Sequence, residues 1–343
     1  MNILITGGAG FIGTHTSNYY LSKGDKVTIF DNFSRKGTRE NVQWLEKEYG
    51  VGNIEVIEGD IRDFDKLKKS VPGHDVIIHL AGQVAVTTSV VNPREDFEIN
   101  ALGTFNVLES VRLVAPNSIL LFASTNKVYG GMEEIKIIKK GRKYIYRDLP
   151  GGISETQNLD FHSPYGCSKG TADQYVRDYH RIYGLRTVVF RQSCIYGTHQ
   201  FGIEDQGWVS WFTIASVLGK PISVYGDGMQ VRDVLFVEDL VRAYDTAVTN
   251  IGKAAGKIFN VGGGPEFTLS LLELLALLEK KLGKSIPYTS SDWRPGDQPV
   301  YVSNISKINK ELDWKPRIDV QEGTSRMIDW IVKEKDLIEK VLI

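Results

Sequence analysis

Runs of consecutive apolar residues recur along the first part of the chain, at 2–6, 26–30, 53–58, 75–80, 118–123 and 186–191. Each is too short for a helix and too continuous for a half-exposed strand, so each predicts a strand buried on both faces. Between them apolar positions return at helical spacing, most clearly over 11–23 and 97–114. Strands alternating with helices predict an α/β fold with a parallel, doubly wound sheet.

Beyond Gly197 the rhythm weakens. Helical patterns remain at 208–219, 268–283 and 320–334, broken by Gly and Pro, and 257–261 reads as one more strand. The segment 231–262 is therefore expected to return to the large sheet. On this reading 1–193 plus about 231–262 form one domain. About 194–230 plus 263–343 form a smaller, discontinuous α/β domain. The leucine-rich stretch 270–282 reads as a packing helix. The basic run Lys136, Lys139, Lys140, Arg142, Lys143, Arg147 reads as an insertion. A solvated hairpin or loop is the plain expectation, and a lid or a contact with another subunit the sharper one.

Composition narrows the class. The 343 residues are 42% hydrophobic and 24% charged with a net charge of -1, as in a soluble enzyme with an ample core. That balance gives no reason to expect binding to nucleic acid or an anionic membrane. No apolar run reaches membrane-spanning length and no secretory n-region precedes an apolar stretch, so the cytoplasm is expected. Cys167 and Cys194 make no disulfide framework and each reads as small buried filler. The histidines are scattered, so no metal site is expected.

Candidate chemistry begins after the first strand. Gly7, Gly10 and Gly13 are spaced G-x-x-G-x-x-G between a strand and a helix. Such glycines let the backbone approach a pyrophosphate, which the helix amides then face. Asp31 ends the second strand, where a carboxylate grips a ribose 2′-hydroxyl and repels a 2′-phosphate. NAD is therefore favoured over NADP, although Arg35 and Lys36 lean the other way. Asp60 is placed to bind adenine. Asp31, Asp60, Gln83, Ser124 and Gln192 all lie at strand carboxyl ends, where open α/β sheets bind ligands. In Ser163-Pro164-Tyr165-Gly166-Cys167-Ser168-Lys169, Ser163 reads as an N-cap and Pro164 as the first helical residue. Tyr165 and Lys169 then share a helix face one turn apart. The ammonium is expected to lower the phenol's pKa and make it a usable base.

These residues stand in T-G-G-A-G-F-I-G (6–13), D-N (31–32), G-D-I (59–61), H-L-A-G (79–82), S-T-N-K-V-Y-G (124–130), Y-G-C-S-K (165–169) and V-R-D (231–233). The set resembles the extended short-chain dehydrogenase/reductase family over nearly the whole chain. The resemblance implies a Rossmann domain holding NAD and a smaller domain holding a nucleotide-linked sugar. At the cofactor it implies Phe11, Ile12, Asn32, Ser34, Arg35, Ile61, Leu80, Ala81 and Asn100, besides the residues above. Catalysis falls to Tyr165, Lys169 and Thr125, with Thr125 bridging the tyrosine and a substrate hydroxyl. Val84, Thr125, Asn126, His162, Arg232 and Arg294 are implied at the substrate, the two arginines on its diphosphate. The family's 4,6-dehydratases carry Asp-Glu where this chain has Asn126-Lys127, so water loss is disfavoured. Cys194 stands where many relatives have an Asn near the phosphates.

Within the family, F-D-N-F-S-R-K-G (30–37), A-G-Q-V-A-V-T-T-S (81–89), D-F-E-I-N (96–100), L-D-F-H-S-P-Y-G-C-S-K-G (159–170) and D-Q-G-W-V (205–209) resemble the branch that inverts C2 of CDP-linked sugars. Inversion at C4 of a UDP-hexose is the alternative. A non-catalytic NAD-sensing protein is a remote one, since such relatives tend to lose the tyrosine or the lysine. A homodimer or homotetramer is implied by analogy.

Overall fold

The computed structural model describes residues 1–293 and 298–342. Seven strands, β1 (Asn2–Thr6), β2 (Lys26–Asp31), β3 (Ile54–Glu58), β4 (Val76–His79), β5 (Ile119–Thr125), β6 (Arg186–Gln192) and β7 (Ile258–Val261), form one sheet. Its order is β3-β2-β1-β4-β5-β6-β7, and every pairing is parallel. The order reverses between β1 and β4, which opens a crevice at their carboxyl ends.

Strand side chains alternate between two cores, as the pleat requires. Ile3, Ile5, Val27, Ile29, Leu121, Val188 and Phe190 face one way. Leu4, Phe30, Leu120, Phe122 and Val189 face the other. Helices α1 (Phe11–Ser22), α2 (Thr38–Tyr49), α3 (Phe64–Ser70), α4 (Gly103–Val114), α5 (Ser163–Tyr183) and α6 (Val237–Thr249) cover the two faces. Residues of α2 and α6 enter the first core, those of α3, α4 and α5 the second. The helix expected over 97–114 begins as a π-turn over Glu98–Leu102 before α4. Two short helices, Val86–Val91 and Pro93–Phe97, precede it.

The expected return of 231–262 to the large sheet is corrected in part. Only Ile258–Val261 joins it, while Val231–Phe236 is the hub of a second, smaller sheet. Val231–Phe236 pairs antiparallel with Thr268–Ser270 and parallel with Val300–Tyr301 and Cys194–Tyr196. These partners are two or three residues long, below the length at which periodicity is legible. The packing helix Leu271–Leu282 starts at a capping box, Ser270 with Glu273, and stops at Gly283 with φ +63°. The basic insertion is a hairpin, Ile137–Lys140 against Lys143–Tyr146. It docks on the second sheet: Tyr144 bonds Asp227 at 2.6 Å and Tyr146 the Val300 carbonyl at 3.0 Å.

His79 ends β4 beneath the crevice. Its ring bridges the hydroxyls of Thr6, at 2.7 Å, and Thr104, at 3.0 Å. Burial, with the nearby Lys169 cation, pushes its pKa down to about 3. The folded ring therefore stays neutral where an unfolded histidine takes a proton, and stability falls as pH drops from 6.5 towards 3. Urea denaturation at pH 7.5 and 5.0 should show wild type losing more stability than His79→Gln, by up to about 1.4 kcal/mol per pH unit. An identical loss in both proteins would refute that assignment.

Candidate active site

The glycine loop meets the turn after β4. Gly7 has φ +71°, and a Cβ there would lie 2.6 Å from the Ala81 amide nitrogen. A Cβ on Gly13 would lie 2.4 Å from the Gly7 carbonyl, so α1 packs directly on the loop. Helix α1 starts at Phe11 with no side chain capping its first amides. Asp31 is 8% exposed and accepts from the amides of Ala9, at 3.1 Å, and Phe33, at 2.9 Å. Burial raises its pKa while those amides pull the other way. A carboxylate has further lone pairs for ribose hydroxyls. A glycine cradle, uncapped helix amides and a fixed carboxylate beside them fit a dinucleotide.

Neighbouring positions divide by what their side chains already do. Asp60 is held by Arg62, at 2.8 and 3.0 Å, and by Asn32, at 2.9 Å, and Arg62 brings its pKa down to about 2. Ser34 and Arg35 lie exposed in the loop after β2, where Arg35 bonds Gln206. Ile61 packs on Gly103 at the start of α4. Leu80 and Ala81 form the turn facing Gly7. Ser124 and Gln192, expected at the cofactor, spend their side chains inside the protein: the Ser124 hydroxyl donates to Asp173 at 2.7 Å and the Gln192 amide to Tyr244 at 2.5 Å. Asn100 does the same. It accepts from the Gln83 amide at 3.0 Å and donates to the Gln83 carbonyl at 3.0 Å, Asp96 at 3.1 Å and Ser168 at 3.2 Å. It shapes the loop after β4 rather than reaching out of it.

Helix α5 brings Tyr165 and Lys169 to the end of β5. Ser163 has φ +66° and its hydroxyl accepts from the Gly166 amide at 3.2 Å, so it makes the expected capping bond even though helical geometry is counted from Ser163 and the extended residue before it is His162. Tyr165 is 7% exposed and lies beside Thr125, the last residue of β5. Its amide donates to the Ser89 hydroxyl at 3.1 Å. Lys169 is 6% exposed, donates to the Ala123 carbonyl at 2.6 Å and lies 4.4 Å from the centre of the Phe122 ring. The expected lowering of the phenol by this ammonium is corrected. Burial pushes Tyr165 up to about 12, and only Thr125 pulls it down. Burial pushes Lys169 down to about 8. Desolvation sets both directions, because both groups are taken out of water together.

On the other wall, Asn126 is 8% exposed and accepts from Thr125 at 3.3 Å. The Lys127 ammonium lies 3.4 Å from the Gln298 side chain, and Arg232 donates to the Gln298 carbonyl at 2.7 Å. Arg232 and Lys127 thus meet across one residue. Val84 is half-buried in the loop after β4, and His162 is exposed at the start of α5. Arg294 lies outside the described residues. Cys194 is partly buried, and burial pushes its thiol up to about 12, as expected of filler. Cys167 is exposed, a correction, because it sits on the outer face of α5 between the buried pairs.

Sequence reading missed three residues here. Asp96 is 1% exposed and accepts from Gln83 at 2.8 Å and Ser168 at 2.5 Å. Asp173 and Arg191, 0% and 2% exposed, pair at 2.8 and 2.9 Å under α5. The available signal was spacing: Asp96 with Asn100, and Lys169 with Asp173, are both i,i+4.

The sequence profile of the family described as GDP-mannose 4,6 dehydratase matches residues 4–327. The chain belongs to that family. It is 46% identical to the CDP-paratose 2-epimerase of Salmonella typhi over 337 residues, 96% of this chain and 99% of that one. The UDP-glucose 4-epimerase of Thermotoga maritima, solved with UDP-glucose, superposes with a TM-score of 0.83 at 29% identity, covering 98% of this chain and 100% of that one. The UDP-glucuronic acid 4-epimerase of Bacillus cereus, solved with UDP-glucuronic acid and NAD, gives 0.83 at 28% identity, covering 97% and 99%. The family's name is that of a dehydratase, yet Asn126 and Lys127 follow Thr125 here.

Asn100→Ala removes every bond that fixes Gln83 to the π-turn. It should destabilise the protein by about 2–3 kcal/mol, since buried amide partners are left unpaired. Thermal melts check this, and an unchanged midpoint would mean the loop is held elsewhere.

Proposed function

We propose that this chain is an NAD-dependent epimerase that inverts C2 of a CDP-linked sugar, of the CDP-paratose to CDP-tyvelose type, through a transient 2-keto sugar. The observation that carries the reading is Tyr165 set beside Thr125, which lowers its pKa, with Lys169 one turn along the same helix, in a chain 46% identical to a CDP-paratose 2-epimerase over nearly its full length. Bound NAD supplies a hydride acceptor that returns what it takes, so the net reaction is redox-neutral. Gly7, Gly10, Gly13 and Asp31 would hold it, and we assign Lys169 to its nicotinamide ribose.

Tyr165 takes the proton of the C2 hydroxyl and gives it back, with Thr125 relaying between them. Burial makes its phenolate strongly basic. Asn126 and Lys127 supply no carboxyl pair, which favours epimerisation over water loss. The sugar has to present both faces while its nucleotide stays fixed, so a permanently charged grip on the diphosphate is needed. We assign that grip to Arg232, with Arg294 beyond the described residues. On this reading the large sheet is the cofactor domain and the second sheet, with its helices, the nucleotide-sugar domain.

NMR of the purified enzyme with CDP-paratose in heavy water, without added cofactor, tests the reading. Inversion at C2 without deuterium at that carbon is expected, and Tyr165→Phe should lower turnover by about 10²–10⁴-fold. Deuterium uptake at C2, or inversion only at C4 of a UDP-hexose, would overturn it.

We also infer an oligomer. Phe105 on α4 and Tyr175 on α5 are 37% and 46% exposed with rings 5.8 Å apart, beside exposed Leu113, Ile182 and Tyr183. A continuous apolar face on two adjacent helices suits a second copy of the chain. Light scattering should find wild type dimeric or larger and Ile182→Glu with Tyr175→Glu shifted towards monomer. A monomeric wild type would refute it.

A further inference from the structure

Asp96 is a buried carboxylate whose hydrogen-bond partners are all neutral. Its Oδ1 accepts from Gln83 at 2.8 Å and Asn100 at 3.1 Å, and its Oδ2 from Ser168 at 2.5 Å. Ser168 stands between Tyr165 and Lys169 on α5. No ion pair involving Asp96 is formed among the described residues. A buried charge left without a counterion is costly and needs a reason. Resting on the reading above, we propose that Asp96 is a positioning residue whose charge sets the pH at which the Tyr165–Lys169 couple exchanges its proton.

Its place in the fold allows this. The carboxylate joins three elements that meet at the site: the loop after β4 through Gln83, the π-turn through Asn100, and α5 through Ser168. Its negative charge favours the ammonium of Lys169 and opposes the phenolate of Tyr165. The other charged or titratable groups around the couple are Asp173 and Cys167 on α5, His162 at its start, His79 at the end of β4 and Lys127 after β5. His79 is neutral at working pH. Asp173 is already paired with Arg191. Among the described residues, Asp96 is thus the carboxylate beside the couple that forms no ion pair. The effect is to keep the couple in its ammonium and phenol form until substrate arrives.

Removing the charge should lower the pKa of both partners. Asp96→Asn should move the acidic limb of the turnover-against-pH profile down by on the order of one pH unit. The phenolate band, taken as wild type minus Tyr165→Phe and repeated in the Asp96→Asn background, should shift the same way without turnover being needed. Asp96→Glu, which keeps the charge, should return the limb to its wild-type position. Ser168→Ala cuts a bond but keeps the charge, so it should lower turnover and leave the limb in place. If Asp96→Asn does not fold, Asp96→Ser carries the same test. A limb and a phenolate band that stay put in the neutral variant, or that move equally in Ser168→Ala, would overturn the proposal. Absence of C2 inversion in wild type would instead sink the functional reading, and the phenolate titration would still decide the role of Asp96.

Discussion

One ion pair without water around it holds the site together. Arg191, at the end of β6, meets Asp173 in the middle of α5, both almost fully buried. Breaking such a pair by removing one partner typically costs about 3–5 kcal/mol, because a bare charge stays behind. The pair is also satisfied on its other sides. Ser124 donates to Asp173, and Arg191 donates to the Tyr129 hydroxyl at 3.2 Å, which donates to Asn260 on β7 at 2.7 Å. The chain of bonds runs from β5 through α5 to β6 and β7. It fixes how far α5 slides along the sheet, and Tyr165 and Lys169 lie two turns and one turn upstream of Asp173 on that helix. The Ser124 hydroxyl, at a strand carboxyl end, is one of the groups that hold the helix in place.

The burial that positions the couple also sets its chemistry. A phenol pushed up to about 12 and an ammonium pushed down to about 8 are both moved towards their uncharged forms. Neither can be charged cheaply alone. In the mechanism we propose, the proton of the substrate hydroxyl is therefore handled by a couple whose charged forms are both costly. The same desolvation keeps His79 neutral beneath the site, so it adds a ring and two hydrogen bonds without adding charge.

The large sheet was legible because its strands are buried on both faces and read as unbroken apolar runs, from Asn2–Thr6 to Arg186–Gln192. The glycine loop and Asp31 were legible because each directly follows or ends a strand, Tyr165 and Lys169 because they stand four apart behind Ser163-Pro164, and Thr125 through the family resemblance. Two kinds of feature were not. The second sheet is made of strands such as Cys194–Tyr196 and Val300–Tyr301, too short to show a period. The roles of Asn100, Ser124 and Gln192 depend on where a side chain points once packed. Ser124 and Gln192 lie at strand carboxyl ends and Asn100 was implied by resemblance; each makes buried hydrogen bonds that no local pattern records. Asp96 escaped for the opposite reason, since it sits one residue before an exposed Phe97 in a five-residue helix that reads as surface.

The strand Val231–Phe236 shows how the two sheets are coupled. Adjacent residues on a strand point to opposite sides. Arg232 turns towards Gln298 and Lys127, the wall opposite Tyr165. Asp233, fully buried, turns the other way and accepts from Ser193, just past β6, and from the Gly264 amide at 3.1 Å, just past β7. A Cβ on Gly262 would lie 2.1 Å from the Asp233 carboxylate, so that close approach requires glycine. Arg and Asp side by side therefore do different work. Asp233 fixes the strand to the carboxyl ends of β6 and β7, and this sets the distance from Arg232 to the end of β5. The diphosphate grip that we propose for Arg232 has to be rigid relative to Tyr165. A buried carboxylate tied to two strand ends provides that rigidity, which a surface arginine on a loop would lack.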